Sequence, residues 1–269
     1  MDASSTKALN AAQQAYLLQL GDNALVLGQR NAEWCGHGPI LEEDLALSNM
    51  SLDLIGQARL LYQAVADARA DGSDEDTLAY FRDAPDFRNL ALVELPHRSP
   101  LVGYAQSDLD YAVTVARNFL YSAFMVLQWE ALQSSPLPAL AAIADKSVKE
   151  TRYHLRHARD WVIRLGDGTE ASARRMQEAF AHLMPYTQEF WTMSAAEAEL
   201  VAQGQAVDPD SLRPAWDALV EATLAQAALK RPSSQGFLPQ AKHGVHTEHL
   251  SFLLAEMQSL ARAHPGAQW

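Results

Sequence analysis

The stretch AAQQAYLLQLGDNALVLGQRNAEW, residues 11–34, decides the fold, because it predicts a long helix. It contains no proline, and Leu17, Leu20, Ala24 and Leu27 recur at the spacing of one helical face. The sequence GHGP at residues 36–39 follows directly, and glycine and proline at that place end a helix. The chain therefore begins with a helix long enough to span a small domain.

Similar breakers divide the next 130 or so residues into three more long helical blocks and a linking region. The predicted long helices are Leu41–Ala70, Ala105–Ser134 and Ala139–Leu165, and two short pieces, Glu75–Arg82 and Phe87–Glu94, lie between the pairs. Short links within each pair predict antiparallel hairpins, and the long link predicts one crossover. This pattern is typical of an all-α, ferritin-like four-helix bundle.

The rest of the chain is also expected to be helical, apart from a loop at Lys230–Val245. The predicted C-terminal helices are Thr169–Trp191, Ala195–Gln203, Pro214–Leu229 and Thr247–Arg262, with Pro214 in a first turn and Thr247 as an N-cap. No linker is long enough to separate a second domain. We therefore expect one domain over residues 1–269, with a core bundle at 11–165 and further helices at 169–264 packed on it.

Composition limits the kind of partner. The net charge is −12, which argues against nucleic acid or an anionic membrane as the main partner. Cys35 is the single cysteine, no apolar run is long enough for a membrane span, and the first ten residues lack the apolar core of a signal peptide. We expect a cytoplasmic protein.

The interior of such a bundle is where di-iron sites are built, from a Glu on each of two helices and a Glu-x-x-His on each of the other two. The predicted core faces of the four long helices contain no Glu, and only Asp53 and His154 come near them. One Asp and one His cannot neutralise two iron ions in a low dielectric. We expect no metal and no cofactor, with His154 satisfied by Thr151, Asp53, Gln57 or buried water.

Several spaced motifs resemble one family, the C subunits of bacterial phenylacetyl-CoA epoxidase complexes, which act in phenylacetate degradation. The motifs are GDNALVL at 21–27, EWCGH at 33–37, DLIGQAR at 53–59, KETRYHLR at 149–156, HTEHL at 246–250, AEMQ at 255–258 and QW at 268–269. The resemblance extends nearly from end to end.

The resemblance implies a structural role. In these complexes a sister subunit of the same fold carries the di-iron centre and epoxidises the aromatic ring, using O2 and electrons from a flavin and iron–sulfur reductase. The C subunit pairs with that catalytic subunit. The resemblance also implies contacts with the other epoxidase subunits, and leaves open whether the isolated chain forms a homodimer.

Comparison with the sister's motifs implies a vestigial site. This chain keeps Asp53 but has Leu54 where the sister has the ligand Glu, and Gln57 where it has the ligand His. On the fourth helix it keeps His154 but has Thr151 where the sister has the ligand Glu. Three of the four residues in the two Glu-x-x-His motifs are thus replaced.

Other residues are candidates for contacts or chemistry. The helix faces of Lys149, Arg152 and Arg156, the His246–Glu248–His249 segment, and the outer faces of helices one and two are candidate interfaces with other subunits. His246 and His249, with His243 nearby, lack the spacing of zinc motifs, so a structural role or a contact with another subunit is the preferred interpretation. Cys35 at a helix C-terminus is a poor nucleophile, since the helix dipole there disfavours a thiolate.

Two functional alternatives stay open at the sequence level. An active di-iron oxygenase with atypical ligands needs inward carboxylates such as Glu33, Glu130 or Glu150. A bundle that binds acyl-CoA and only presents the substrate needs basic residues beside a groove.

Overall fold

The computed structural model describes residues 9–98 and 109–267, and this part of the chain forms ten α-helices and no β-strand. The helices are α1 Ala11–Ala32, α2 Leu41–Arg69, α3 Glu75–Tyr80, α4 Ala91–Glu94, α5 Tyr111–Leu132, α6 Pro138–Gly166, α7 Glu170–Leu183, α8 Ala195–Ala202, α9 Pro209–Gln226 and α10 Glu248–Ala263. Three 3-10 helices, Ala84–Asp86, Met184–Trp191 and Ala241–His243, complete the order. Residues 1–8, the predicted helix start at 105–108 and the motif at 268–269 lie outside the described residues.

The four long helices confirm the predicted ferritin-like bundle. The α1–α2 and α5–α6 hairpins form two pairs, and α2 lies beside α6. Across the core, Asn118 donates to Asn31 at 3.2 Å, and Gln128 donates to the Tyr16 hydroxyl at 3.0 Å, which ties α5 to α1. The C-terminal helices pack on the bundle, with α8 against α1 and with α7 and α9 against α5 and α6.

Helix α1 is a central helix and not a surface helix. Its start is fixed by a capping box, in which the Asn10 side chain accepts from the Gln13 backbone at 2.8 Å and the Gln13 side chain accepts from the Asn10 backbone at 2.9 Å. Every residue from 19 to 28 is buried. The prediction that helix one has an outer face free to contact another subunit is therefore wrong, because α4, α8 and α10 cover α1.

The predicted helical piece Phe87–Glu94 is also wrong in its first half, since only Ala91–Glu94 is helical. The Arg88 amide donates to the Asp22 carboxylate at 2.8 Å, and the Leu90 amide donates to the Asn23 side chain at 2.7 Å. These two polar side chains of α1 take backbone groups that a helix would have used, and the segment stays extended.

Two prolines shift the predicted helix ends. The helix expected over Thr169–Trp191 ends at Leu183 and continues as a 3-10 helix, because Pro185 has no N–H for the α-helical pattern. The ninth helix begins at Pro209, after the N-cap Asp208, so Pro214 lies inside it and not in its first turn. Pro209 matches the preference for proline at the first helical position.

Two helical glycines give a matched pair of stability predictions. A Cβ at Gly21 would lie 2.7 Å from a ring carbon of Tyr62, whereas a Cβ at Gly56 would meet nothing within 4 Å. We expect Gly21→Ala to lower the free energy of unfolding by about 1–3 kcal/mol through overpacking. We expect Gly56→Ala to raise it by about 0.5–1 kcal/mol through helix propensity. Urea unfolding of both variants checks this, and equal effects would contradict the close α1–α2 contact.

Candidate functional site

Three polar pairs line the seam between α2 and α6, where the family comparison places the altered motifs. Gln57 donates to the Glu150 carboxylate at 3.0 Å, and His154 Nε2 lies 3.0 Å from Asp53 Oδ2. The third pair lies towards the start of α2 and the end of α6, where His157 Nε2 lies 2.8 Å from Glu43 Oε2. The seam therefore consists of side chains that satisfy one another between two neighbouring helices.

The structure brings the predicted vestigial positions together on this seam and in the core beneath it. Leu54 is buried in the apolar core, and the Thr151 hydroxyl donates to the Ser147 carbonyl of its own helix at 2.8 Å. Of the partners expected for His154, Asp53 is the one that the structure shows. Asp53 itself is 36% exposed in its side chain, so it lies at the edge of the bundle and not at its centre.

These residues do not fit a di-iron centre. Leu54 offers no donor atom, and Thr151 and Gln57 offer only neutral oxygens. The nearest carboxylates, Asp53 and Glu150, face the seam and bind His154 and Gln57. Among the described side chains, no three His, Cys, Asp or Glu residues are placed to hold one metal ion. A pair of iron ions needs several inward carboxylates, and this donor set does not supply them.

The expectation that the four core faces contain no Glu is wrong in one respect. Glu43 on α2 is buried, and its Oε2 accepts from the Tyr111 hydroxyl at 2.5 Å as well as contacting His157. Tyr111 packs edge-on between Trp34 and Trp161, with ring centroids 5.5 Å from each. Glu43 lies in the first turn of α2, where an acid is typical of a favourable helix start. It also lies four residues before Leu47 and seven before Met50, so the core spacing of α2, extended by one turn, would have placed it inward.

A second buried cluster, around His97, was missed at the sequence level. Trp34 Nε1 and Arg117 Nη2 lie 3.1 and 3.0 Å from His97 Nδ1, and both groups can only donate. His97 Nδ1 is therefore an acceptor, and Nε2 carries the proton that it donates to the Arg30 carbonyl at 2.5 Å. Thr114 contributes its hydroxyl to the same group.

Charge in this cluster follows from burial. Burial, followed by the nearby Arg117 cation, lowers the pKa of His97 well below its usual range, so the ring is neutral. Burial and the neighbouring Arg30 lower the pKa of Arg117 to about 9, which leaves it protonated at neutral pH. Arg117 donates to the Leu95 carbonyl. The cluster joins α1, α5 and the segment after α4.

The lowered pKa of His97 predicts a pH dependence of stability. Below about pH 6.5 the unfolded chain binds a proton at this histidine and the folded chain does not, so stability falls as pH drops. The slope of unfolding free energy from this one group approaches about 1.4 kcal/mol per pH unit as the pH falls below about 6. Gln at position 97 can keep the acceptor and donor pattern without titrating. We expect His97→Gln to reduce the slope of unfolding free energy against pH between pH 6.5 and 5.5, measured by urea unfolding, and an unchanged slope would contradict this assignment.

The expected interface residues of the C-terminal segment divide into inward and outward positions. The His246 side chain is 6% exposed, with Nδ1 2.6 Å from Glu94 Oε1 and Nε2 3.0 Å from the Phe87 carbonyl. His246 is therefore occupied within the chain, and this placement argues against an interface role. Glu248 is exposed and His249 is half-buried, where burial lowers the pKa of His249.

Thr247 is the N-cap residue of α10, as predicted, but it does not make the hydrogen bond of an N-cap side chain. Thr247 has extended backbone before α10, yet its side chain makes no cap bond. Its hydroxyl and its amide instead donate to Glu94 Oε2, at 2.7 and 2.8 Å. Glu94 is fully buried and also accepts from Asn89 at 2.9 Å, so it anchors the start of α10.

The basic face of α6 is exposed as expected. Lys149 pairs with Asp145 at 3.0 Å, and Arg152 pairs with Glu130 at 2.7 Å. Arg156 has no carboxylate within ion-pair distance among the described residues, and its guanidinium lies 5.7 Å from the ring of Tyr153. Cys35 is exposed in the turn after α1.

A groove of about 330 Å³ lies between α2 and α3. Its lining consists of Leu25, Ile55, Ala58, Arg59, Tyr62, Glu75, Asp76, Ala79 and Tyr80. Arg59, the one cation among these lining residues, is paired with Glu75 at 3.1 Å. Burial raises the pKa of the neighbouring Asp76. The groove lacks the unpaired basic residues that a CoA phosphate needs.

Comparisons with known proteins identify the family of this chain. A family model described as phenylacetic acid catabolic protein matches residues 1–269. The C subunit of 1,2-phenylacetyl-CoA epoxidase from Escherichia coli (strain K12) is 47% identical to this chain over 255 residues, which is 95% of this chain and 98% of the relative. No helix in the described part combines the length and apolar character that crossing a membrane requires.

Proposed function

The chain belongs to the family of phenylacetic acid catabolic proteins, and from this premise we propose that it is a non-catalytic structural subunit of a phenylacetyl-CoA epoxidase. In this proposal it pairs with the di-iron catalytic subunit of the same fold and supports it in aerobic phenylacetate catabolism. The identity with the C subunit of an epoxidase over almost the whole of both chains supports this function.

The observation that carries the proposal is the chemistry of the α2–α6 seam. Two iron ions bring a charge of +4 to +6, which carboxylates at the bundle centre must neutralise. The chain has Leu54, Gln57 and Thr151 where the resemblance places three of the four motif ligands. His154, the remaining one, is held by Asp53. A role in supporting a partner is the function that such an interior allows.

The alternative of an active oxygenase with atypical ligands finds no support in the three carboxylates that it needs. Glu33 is bound to Arg30 at 2.5 Å, Glu130 pairs with Arg152 on the surface, and Glu150 accepts from Gln57. These three acids belong to three separate groups of contacts. They do not converge on one point in the bundle.

The interpretation as an acyl-CoA carrier has no specific observation in its favour, given the paired Arg59 of the α2–α3 groove. The proposal includes a cytoplasmic location, since the one cysteine is free and exposed, as is usual in a reducing compartment.

Reconstitution of the epoxidase from purified subunits tests the proposal. We expect O2-dependent consumption of phenylacetyl-CoA to need this chain together with the catalytic subunit, and this chain alone to show none. His154→Gln in the complex should keep the initial rate within about twofold, because a residue outside the reacting centre contributes little to the barrier. Activity of this chain without the catalytic subunit, or loss of the complex's rate in His154→Gln with intact assembly, would overturn the non-catalytic assignment.

A further inference from the structure

The C-terminal helices cover one side of the bundle and leave the other side open. Helix α8 packs on α1, and helices α7 and α9 pack on α5 and also on α6. All of α5 between residues 112 and 126 is buried, as are residues 19–28 of α1. Helix α2 packs chiefly on α1, α6 and α3, and its residues away from the core, such as Leu41, Leu45 and Leu52, are exposed. The open side is therefore the outward face of α2 with the adjoining exposed part of α6 around Tyr153.

Large apolar side chains gather on this open side. Of the twelve large hydrophobic residues that are exposed in the described part, four fall within residues 40–52: Ile40, Leu41, Leu45 and Leu52. Leu41, Leu45 and Leu52 are separated by four and seven residues, which puts them on one line along α2. Leu41 and Leu52 are 70% and 68% exposed. A line of leucines in water on a well-formed helix indicates a contact surface.

The neighbouring helix adds residues that are enriched at protein interfaces. Tyr153 of α6 is exposed, and Arg156 lies beside its ring. Tyr and Arg are two of the three residue types in which the binding energy of protein complexes is most often concentrated. Arg156 has no carboxylate partner among the described residues, unlike Lys149 and Arg152 on the same face. In a chain of net charge −12, this cation is available to pair with an acid of another chain.

We propose that the outer surface formed by Leu41, Leu45 and Leu52 of α2 with Tyr153 and Arg156 of α6 is the surface on which the partner subunit packs. The inference rests on the proposed function for the existence of that partner. The residues of this surface predict the contact face of the partner subunit, which should have apolar side chains opposite α2 and a carboxylate opposite Arg156. We name this set of residues the α2–α6 outer surface.

A pair of double variants tests the assignment with matched exposure. Leu45→Glu with Leu52→Glu places two charges on the α2–α6 outer surface, where the leucines are 54% and 68% exposed. Phe252→Glu with Leu260→Glu is the control on α10, where the residues are 67% and 56% exposed. Because all four side chains are largely in water, neither variant should disturb the fold, and circular dichroism and thermal unfolding check this.

Isothermal titration measures the affinity of each variant for the purified catalytic subunit and tests whether the α2–α6 outer surface binds it. We expect the α2 double variant to bind at least about 100-fold more weakly and the α10 variant to bind within about threefold of the wild type. We expect Arg156→Ala to weaken binding by about tenfold, with a smaller loss at high salt. Full affinity of the α2 variant beside a binding wild type would overturn the surface and leave the proposed function standing.

Two further outcomes are distinguishable. A wild-type chain that does not bind the catalytic subunit removes the proposed function itself. Light scattering of the isolated chain separates the remaining case, in which a second copy occupies the surface. If the wild type is a dimer, the α2 variant a monomer, and binding to the catalytic subunit is the same for both, the assignment to the partner subunit is wrong.

Discussion

Asp22→Ala is expected to lower the free energy of unfolding by about 3–5 kcal/mol, which is the usual effect of removing one member of a buried ion pair. Asp22 is fully buried on α1 and binds the Arg82 guanidinium, the Tyr62 hydroxyl at 2.6 Å and the Arg88 amide at 2.8 Å. Without the carboxylate, Arg82 is left as an unpaired cation against the rings of Tyr62 and Phe87.

The effect is large because stability is small. A domain is stable by only about 5–15 kcal/mol, so this one change removes a large fraction of the total. Urea unfolding followed by circular dichroism measures it. Glu75→Ala is the control, since its ion pair joins it to Arg59, whose side chain is 63% exposed, and we expect a loss below about 1 kcal/mol. Similar losses in both variants would contradict the role of Asp22 in holding the segment after α3 to α1.

Glu94→Ala is the second change with a large expected effect, about 3–5 kcal/mol, and it acts on a different part of the chain. Glu94 is fully buried and accepts four hydrogen bonds, from Asn89, from His246, and from the amide and hydroxyl of Thr247. Its removal leaves these donors buried without an acceptor, and each unsatisfied group costs free energy.

The location of the effect can be measured as well as its size. Hydrogen exchange in Glu94→Ala should accelerate in α10, because Glu94 fixes the residues that precede this helix, while the α5–α6 hairpin should stay protected. Glu248→Ala is the control, because Glu248 directly follows Thr247 but is exposed. This variant should alter the free energy of unfolding by less than about 0.5 kcal/mol. Unchanged exchange in α10 of Glu94→Ala would show that the helix does not depend on this anchor.

The sequence predicts the long helices well because their limits are local. The breakers around Gly36, Gly72, Pro136 and Gly166 act within a few residues, and the observed ends fall close to them. The errors arise where a distant residue competes for the backbone. Asp22 and Asn23 on α1 hold the amides of Arg88 and Leu90, more than 60 residues away, and no local pattern shows this.

In the candidate site, too, some features can be read from the sequence and others depend on contacts between distant residues. Given the motifs of the sister subunit, the changes of ligand type at Leu54, Gln57 and Thr151 are readable one residue at a time, so the resemblance predicts a poor metal site. The partners are not readable: Glu43 meets His157 and Tyr111 only after α2, α5 and α6 come together. The open side of the bundle was partly readable, because α1 has two charged residues in 22 and α2 has seven in 29, but only the packing shows which helices cover α1.

We infer that the bundle interior of this chain does not hold two iron ions. Metal analysis by plasma mass spectrometry, on the chain purified alone after growth with added iron and on its complex with the catalytic subunit, tests it most directly. We predict iron near zero per chain in the isolated protein and, in the complex, iron in proportion to the catalytic subunit only. About two irons per chain in the isolated protein, lost when His154 is replaced by Ala, would contradict the claim.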